Sequence, residues 1–147
     1  MSTLSIRRAT ADDSKNIAVL ERECFCDPWS EDGISDTIRT EGGIFLIAER
    51  SSSAVGYIGA TTVLDECSIT NICITKSERG KGYARALLSA MKNKCKQAGI
   101  RCIFLEVRRS NLPAVTLYES SGYVLCGERR GFYSHPKEDA LIYRLDI

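Results

Sequence analysis

Histidine is almost missing from this 147-residue chain, which has only His135. Seven cysteines are present, but no two are spaced C-x-x-C. Transition-metal sites draw on clustered Cys and His, so the sequence offers no metal centre. An excess of one charge is missing too. Twenty Lys and Arg face nineteen Asp and Glu, for a net charge of +1. That balance excludes a general attraction to nucleic acid or to an anionic membrane surface. No apolar run approaches the roughly 18 residues of a membrane-spanning helix. The opening "MSTLSIRRATADD" has no apolar signal core. There are no repeats and no linker, and the one biased tract is Ser51–Ser53.

What is present is ordinary globular material, 44% hydrophobic and 27% charged. The length suits one domain, residues 1–147, with a core of its own. Most cysteines sit inside apolar runs such as "NICIT" and "RCIFLEV". They read as reduced, small core residues, and free thiols point to a reducing compartment, the cytoplasm.

Alternation of apolar and polar residues predicts a strand at Leu4–Ala9. "TADDSKNIAVLERECF" follows as a capped helix, and a second short helix is capped by Ser30 after "DPW". Ile44–Arg50, Ala54–Asp65 and Glu66–Thr75 read as an antiparallel meander. From Gly82 to Ala98 the period becomes helical. Ala84, Leu87, Leu88, Met91 and Cys95 share one face, and Gly99 ends the run. Ile100–Val107 is nearly all apolar, which predicts a central strand covered on both faces. The strand–helix–strand order makes that strand parallel to the one before the helix, through a right-handed crossover. "NLPAVTLYESSG" is a short helix, and "YVLCGERR" and "ALIYRLDI" close the sheet. The fold class is therefore α/β (α+β), a mixed sheet of about seven strands flanked by about four helices.

Gly80 and Gly82 stand around Lys81 where the long helix begins. A strand, a glycine-rich turn and a helix start can cradle phosphate. The first N–H groups of a helix lack internal partners and carry the positive end of its dipole. Glycine lets a ligand approach them with no Cβ in the way. Arg79, Lys81 and Arg85 add charge. A plain surface turn with a glycine cap fits the same residues. The spacing is neither G-x-x-x-x-G-K-[ST] nor G-x-G-x-x-G.

"RGKGYA" resembles the acyl-CoA signature Q/R-x-x-G-x-G/A of the GNAT acetyltransferase superfamily, with Arg79, Gly82 and Ala84 in the defining places. "LEVRRSNLPAVTLYESSGYV" resembles the family's next segment in order and spacing. "DPWS", "ITNICI" and "RRGFYSHPKEDALIYRL" are similar to one branch, the bacterial ribosomal-protein alanine N-acetyltransferases. The resemblance implies a GNAT fold in which two parallel strands splay apart at the acetyl-CoA site. It implies acetyl-CoA as co-substrate, no metal, and a protein N-terminus, that of a ribosomal protein, as acceptor. Neither nucleic acid nor membrane is an expected partner.

By the same resemblance, Arg79, Gly80, Lys81, Gly82, Tyr83 and Ala84 hold pyrophosphate through their backbone. Ile72, Cys73 and Ile74 pair with the pantetheine amides, and Asn111 contacts the CoA arm, though it also reads as a helix N-cap. Glu106 is the base that takes the amine's proton; on its own it also reads as an exposed strand-end carboxylate or a partner of Arg108. Tyr118 is the acid at the CoA sulfur, and also fits a core aromatic. Trp29 and Tyr133 line the peptide site, with Trp29 equally suited to anchoring the core. Phe132 departs from the Tyr or Asn-Tyr expected there, and His135 reads as a non-catalytic loop residue. Two other readings remain. One is a broader N-terminal, small-amine or lysine acetyltransferase. The other is a non-catalytic CoA-binding module, which would have no use for Glu106.

Overall fold

The computed structural model describes residues 3–147. Met1 and Ser2, which begin the stretch read as lacking a signal core, lie outside them. The strands are β1 (Leu4–Arg8), β2 (Gly43–Arg50), β3 (Ser53–Val63), β4 (Glu66–Ile74), β5 (Cys102–Arg108), β6 (Val124–Ser134) and β7 (Lys137–Asp146). The helices are α1 (Ser14–Cys24), α2 (Glu31–Arg39), α3 (Tyr83–Gln97) and α4 (Leu112–Ser120). One seven-stranded sheet runs β1-β2-β3-β4-β5-β7-β6. Its one parallel pair is β4–β5, joined by the α3 crossover as expected.

Strand alternation sorts the core into two layers. Phe45 and Ile47 of β2 turn to one face, where Ile17, Ala18 and Leu20 of α1 and Ile34 of α2 cover them. Ile44, Leu46 and Ala48 turn to the other face, onto Leu87, Leu88, Met91 and Cys95 of α3. That helical face is the one the sequence period marks. Each large side chain fully buried there contributes roughly 1.5–3 kcal/mol. Ser30 caps α2 as expected, its Oγ accepting from the Gly33 N–H at 3.0 Å.

Two expectations change. First, β5 is not covered on both faces. Ile103, Leu105 and Val107 enter the core, while Phe104, Glu106 and Arg108 are only part-buried and border a cavity. No helix packs there, because α1 and α2 cover β2–β4 instead. Second, the last two strands are longer than the apolar runs that signal them. β6 reaches Ser134 and β7 begins at Lys137. The pairing passes from Arg129↔Ala140 to Tyr133↔Glu138, so Arg130, Gly131 and Phe132 bulge opposite Asp139. The Gly131 N–H donates to Asp139 Oδ1 at 2.8 Å and fixes that bulge. As expected, all seven cysteines are free and most of them, Cys67, Cys73, Cys95 and Cys102, are buried. Cys26 and Cys126 are exposed and Cys24 is half-buried.

Candidate active site

The parallel pairing of β4 and β5 starts at Glu66↔Cys102 and stops at Ile69↔Leu105. Both strands continue beyond it, β4 to Ile74 and β5 to Arg108, without pairing each other. The cause is visible on β4. Its pairing with β3 steps from Ala60↔Ile69 to Gly59↔Asn71, which leaves Thr70 unopposed. Such a bulge bends the strand. The Thr70 hydroxyl donates to the Gly59 carbonyl at 3.0 Å and holds it. A cavity of about 1100 Å³ opens at this seam.

Trp29, Ile72, Glu106, Asn111, Tyr118 and Tyr133, six residues expected in the site, all line this cavity. Glu106 lies within β5 rather than at its end, with its side chain turned away from the core. Its carboxylate stands 3.4 Å from the Arg129 Nε, a half-exposed pair of the kind that contributes little to stability. Arg108 does not pair with Glu106. It binds Glu138 and the carbonyls of His135 and Pro136, and its guanidinium lies 4.3 Å from the centre of the Tyr133 ring.

Tyr118 comes from α4, where Asn111 caps the first turn by accepting from the Ala114 N–H at 3.3 Å. Its ring is buried, 6.1 Å from that of Tyr123. Burial, with a smaller contribution from Tyr133, raises its phenol to about 12. Tyr133 is half-buried and also raised, by burial first and by Glu106 second. Phe132 meets Tyr133 edge-on at 5.0 Å. The lone histidine sits in the β6–β7 turn, as expected of a loop residue, and it also borders the cavity.

The glycine turn lies at the far end of β4. Gly80 and Gly82 have φ of +80° and +82°, a region L side chains rarely adopt, and open space surrounds the place a Cβ would take. From Gly80 through Arg85 no backbone N–H finds a backbone partner among the described residues; the first such bond of α3 runs from Ala86 to Gly82. Gly82 is the N-cap and has no side chain to satisfy them. Gly80, Lys81, Gly82, Tyr83 and Ala84 thus form a row of free donors at a helix start, which suits an anion. The cations around it are partly engaged. Lys81 binds Glu78, Arg85 binds Ser120 and Ser121, and Arg79 reaches back to the Ile74 carbonyl at 2.9 Å.

Between turn and seam, the Thr75 N–H donates to Val55. Antiparallel alternation then turns the polar backbone groups of Cys73 toward β3, and those of Ile72 and Ile74 toward the open seam. Of the three residues expected to offer backbone groups, Ile72 and Ile74 face the seam, and the Ile74 carbonyl is already engaged by Arg79. Cys73 instead packs its buried side chain beneath α1.

Several residues here carried no sequence signal. Arg129, 3.4 Å from Glu106, sits beside a bulge that only the β6–β7 pairing reveals. Glu21 is a fully buried carboxylate bordering the cavity. In the sequence it looks like one more polar residue of α1.

Comparison with known proteins agrees with this geometry. A family model described as "Acetyltransferase (GNAT) family" matches residues 14–123. The Escherichia coli K12 [ribosomal protein bS18]-alanine N-acetyltransferase is 32% identical over 130 residues, 87% of this chain and 87% of its own. A Bacillus subtilis relative that carries the same name provisionally is 32% identical over 144 residues, 97% of this chain and 95% of its own. The crystal structure of the Escherichia coli ribosomal-protein-S18-alanine N-acetyltransferase superposes with a TM-score of 0.92 at 28% identity, covering 99% of this chain and 94% of that one. Arabidopsis thaliana NAA60 in complex with acetyl-CoA, at 17% identity, shares the fold with a TM-score of 0.90 over 99% of this chain and 100% of its own. The bulged β4, the open seam and the glycine turn are the parts of a GNAT fold, and this chain belongs to the GNAT family of acetyltransferases.

Proposed function

We propose that this protein transfers the acetyl group of acetyl-CoA to the α-amine of a protein N-terminus, and that its substrate is the N-terminal alanine of ribosomal protein bS18. The observation that carries this reading is the seam itself. A carboxylate, Glu106, and a phenol, Tyr118, come from different elements to one cavity beside an open strand edge. The substrate assignment draws on the relatives of that name, which match most of the chain. The free state of all seven cysteines suits work in the cytoplasm.

Acetyl-CoA brings the activated thioester. Its pyrophosphate is held by the free N–H groups of Gly80 through Ala84, and its pantetheine arm by the backbone of Ile72 and Ile74. Asn111 borders the same arm. Glu106 accepts the proton that the attacking ammonium loses, directly or across a water. As the nitrogen–carbon bond forms and the carbon–sulfur bond breaks, the Tyr118 hydroxyl gives its proton to the departing sulfur. Burial keeps that hydroxyl protonated across the working pH range. A peptide α-amine titrates near about 8, against about 10.4 for lysine, so one carboxylate is enough help for the former. Trp29, Phe132 and Tyr133 wall the acceptor side.

The test is mass spectrometry of peptides incubated with acetyl-CoA and the protein. Acetylation of the α-amine of an alanine-initiated peptide is expected, and of an N-terminally blocked lysine peptide hardly at all. Modification confined to lysine would overturn the reading.

A further inference from the structure

Glu21 is a carboxylate with no solvent exposure and, among the described residues, no cationic partner. An isolated buried charge is expensive, so a fold that keeps one must satisfy it with donors. Here three converge from three elements. The Trp29 N–H, in the α1–α2 loop, donates to Oε1 at 2.9 Å. The Tyr57 hydroxyl, on β3, donates to Oε2 at 2.7 Å. The Asn71 side-chain amide, on the bulged part of β4, donates to Oε2 at 3.3 Å.

The same residues are tied together a second time through their rings. Trp29 packs 6.5 Å from Phe45, and Phe45 stacks on Tyr57 at 6.0 Å with 7° between their planes. Gly59 makes room for this, since a Cβ there would come within 2.8 Å of the Phe45 ring. The path from Glu21 through Tyr57, Phe45 and Trp29 therefore returns to Glu21. Trp29 and Asn71 both line the cavity, on separate segments, and Glu21 is the group they share. Burial raises its carboxyl above the usual carboxylate range, with the Trp29 and Tyr57 hydrogen bonds opposing that.

We infer that Glu21 is a positioning residue for the acceptor peptide, holding the Trp29 loop and the Asn71 segment of β4 in the spacing the peptide needs. The inference rests on the proposed N-terminal acetyl transfer. Glu21 is fully buried in the cavity wall and is not part of the glycine turn, so its loss is expected to act first on the acceptor side. Glutamine is not a replacement. Its amide nitrogen would present a donor to a site already filled by donors.

The experiment is steady-state kinetics of Glu21→Gln and Tyr57→Phe on an alanine-initiated peptide, with acetyl-CoA affinity measured by calorimetry. Glu21→Gln is expected to raise the peptide KM about tenfold or more, the scale of losing hydrogen bonds to a charged group. Acetyl-CoA affinity should stay within about twofold and kcat should fall less than kcat/KM. Tyr57→Phe removes one of the three donors and should shift the peptide KM about threefold in the same direction. If Glu21→Gln fails to fold, the Tyr57→Phe result decides. An unchanged peptide KM in the folded variants overturns the inference, as does an equal loss of acetyl-CoA affinity, which would mark a merely structural role. Wild-type protein inactive on N-terminal peptides would instead sink the proposed function.

Discussion

Along the β4–α3 turn the protein presents main chain, the N–H groups of Gly80 through Arg85. The cavity is walled instead by side chains: Trp29 from the α1–α2 loop, and Phe132 and Tyr133 from the β6–β7 hairpin. The first region is local. One helix start, with glycines at φ +80° and +82°, makes it from consecutive residues. The second is assembled from segments a hundred residues apart, held by the Glu21 hydrogen bonds on one side and by the bulge opposite Asp139 on the other. A backbone site serves a cofactor that does not change. A side-chain site can be altered one residue at a time, which suits the acceptor choice proposed for it.

The sharpest test of that division is the chemistry between the two regions. Glu106→Gln keeps the shape and cannot accept the amine's proton. The rate should fall by ~10²–10⁴, with partial rescue as pH rises and more amine arrives deprotonated. Turnover against pH at saturating acetyl-CoA reads this. Tyr118→Phe keeps the buried ring and removes the donor. A loss of ~10²-fold is expected, the low end for a positioned acid, because a thiolate with a pKa of about 8.5 is a fair leaving group. No rescue should come at high pH, since a proton must still reach the sulfur. If both profiles parallel the wild type at near full rate, neither residue belongs to the chemistry.

Gly82→Val strikes the backbone region alone. A branched residue at φ +82° is strained, and its side chain fills the open space above the turn. Acetyl-CoA affinity should drop about tenfold or more, equivalent to about 1.4 kcal/mol. The peptide KM should hold once acetyl-CoA is saturating. Calorimetry on the folded variant checks this, and unchanged affinity would remove the cradle. Tyr133→Phe strikes the side-chain region alone. A rise of about threefold in peptide KM with no change for acetyl-CoA is expected, and the reverse pattern would merge the two regions.

The smallest effect serves as a control outside both. Arg7 donates to both oxygens of Asp13, at 2.9 and 2.7 Å, and holds its carboxyl below the usual carboxylate range. A depressed carboxyl stabilises the fold above its unfolded pKa of about 3.9, and that stability is lost as pH falls through the folded value. Arg7→Gln should therefore cost about 1 kcal/mol or less near neutral pH, given the half-exposed arginine. The gap to wild type should close in acid, and activity should be unaffected. A gap that persists in chemical denaturation at low pH would reject the pairing.

What could be read in advance follows the same line. α3 was plain because Leu87, Leu88, Met91 and Cys95 repeat at helical spacing, and the crossover to β5 followed from handedness. The glycine turn was legible because its function lies in consecutive backbone groups. Glu106 and Tyr118 needed the likeness to a known family, since a carboxylate in a strand and a tyrosine in a helix carry no local mark of chemistry.

The sequence by itself determined the helices, the succession of strands along the chain, the glycine turn at the start of α3 and the membership in one family, because each is written in short-range period or spacing. Tertiary structure alone decided that β5 keeps one face bare, that Ile72 and Ile74 rather than Cys73 turn their backbone to the seam, and that Arg129 meets Glu106. It alone made Glu21 the shared partner of Trp29, Tyr57 and Asn71. These depend on register, on two bulges and on which helix covers which strand. One residue of slip reverses every strand side chain, so no local pattern can fix them.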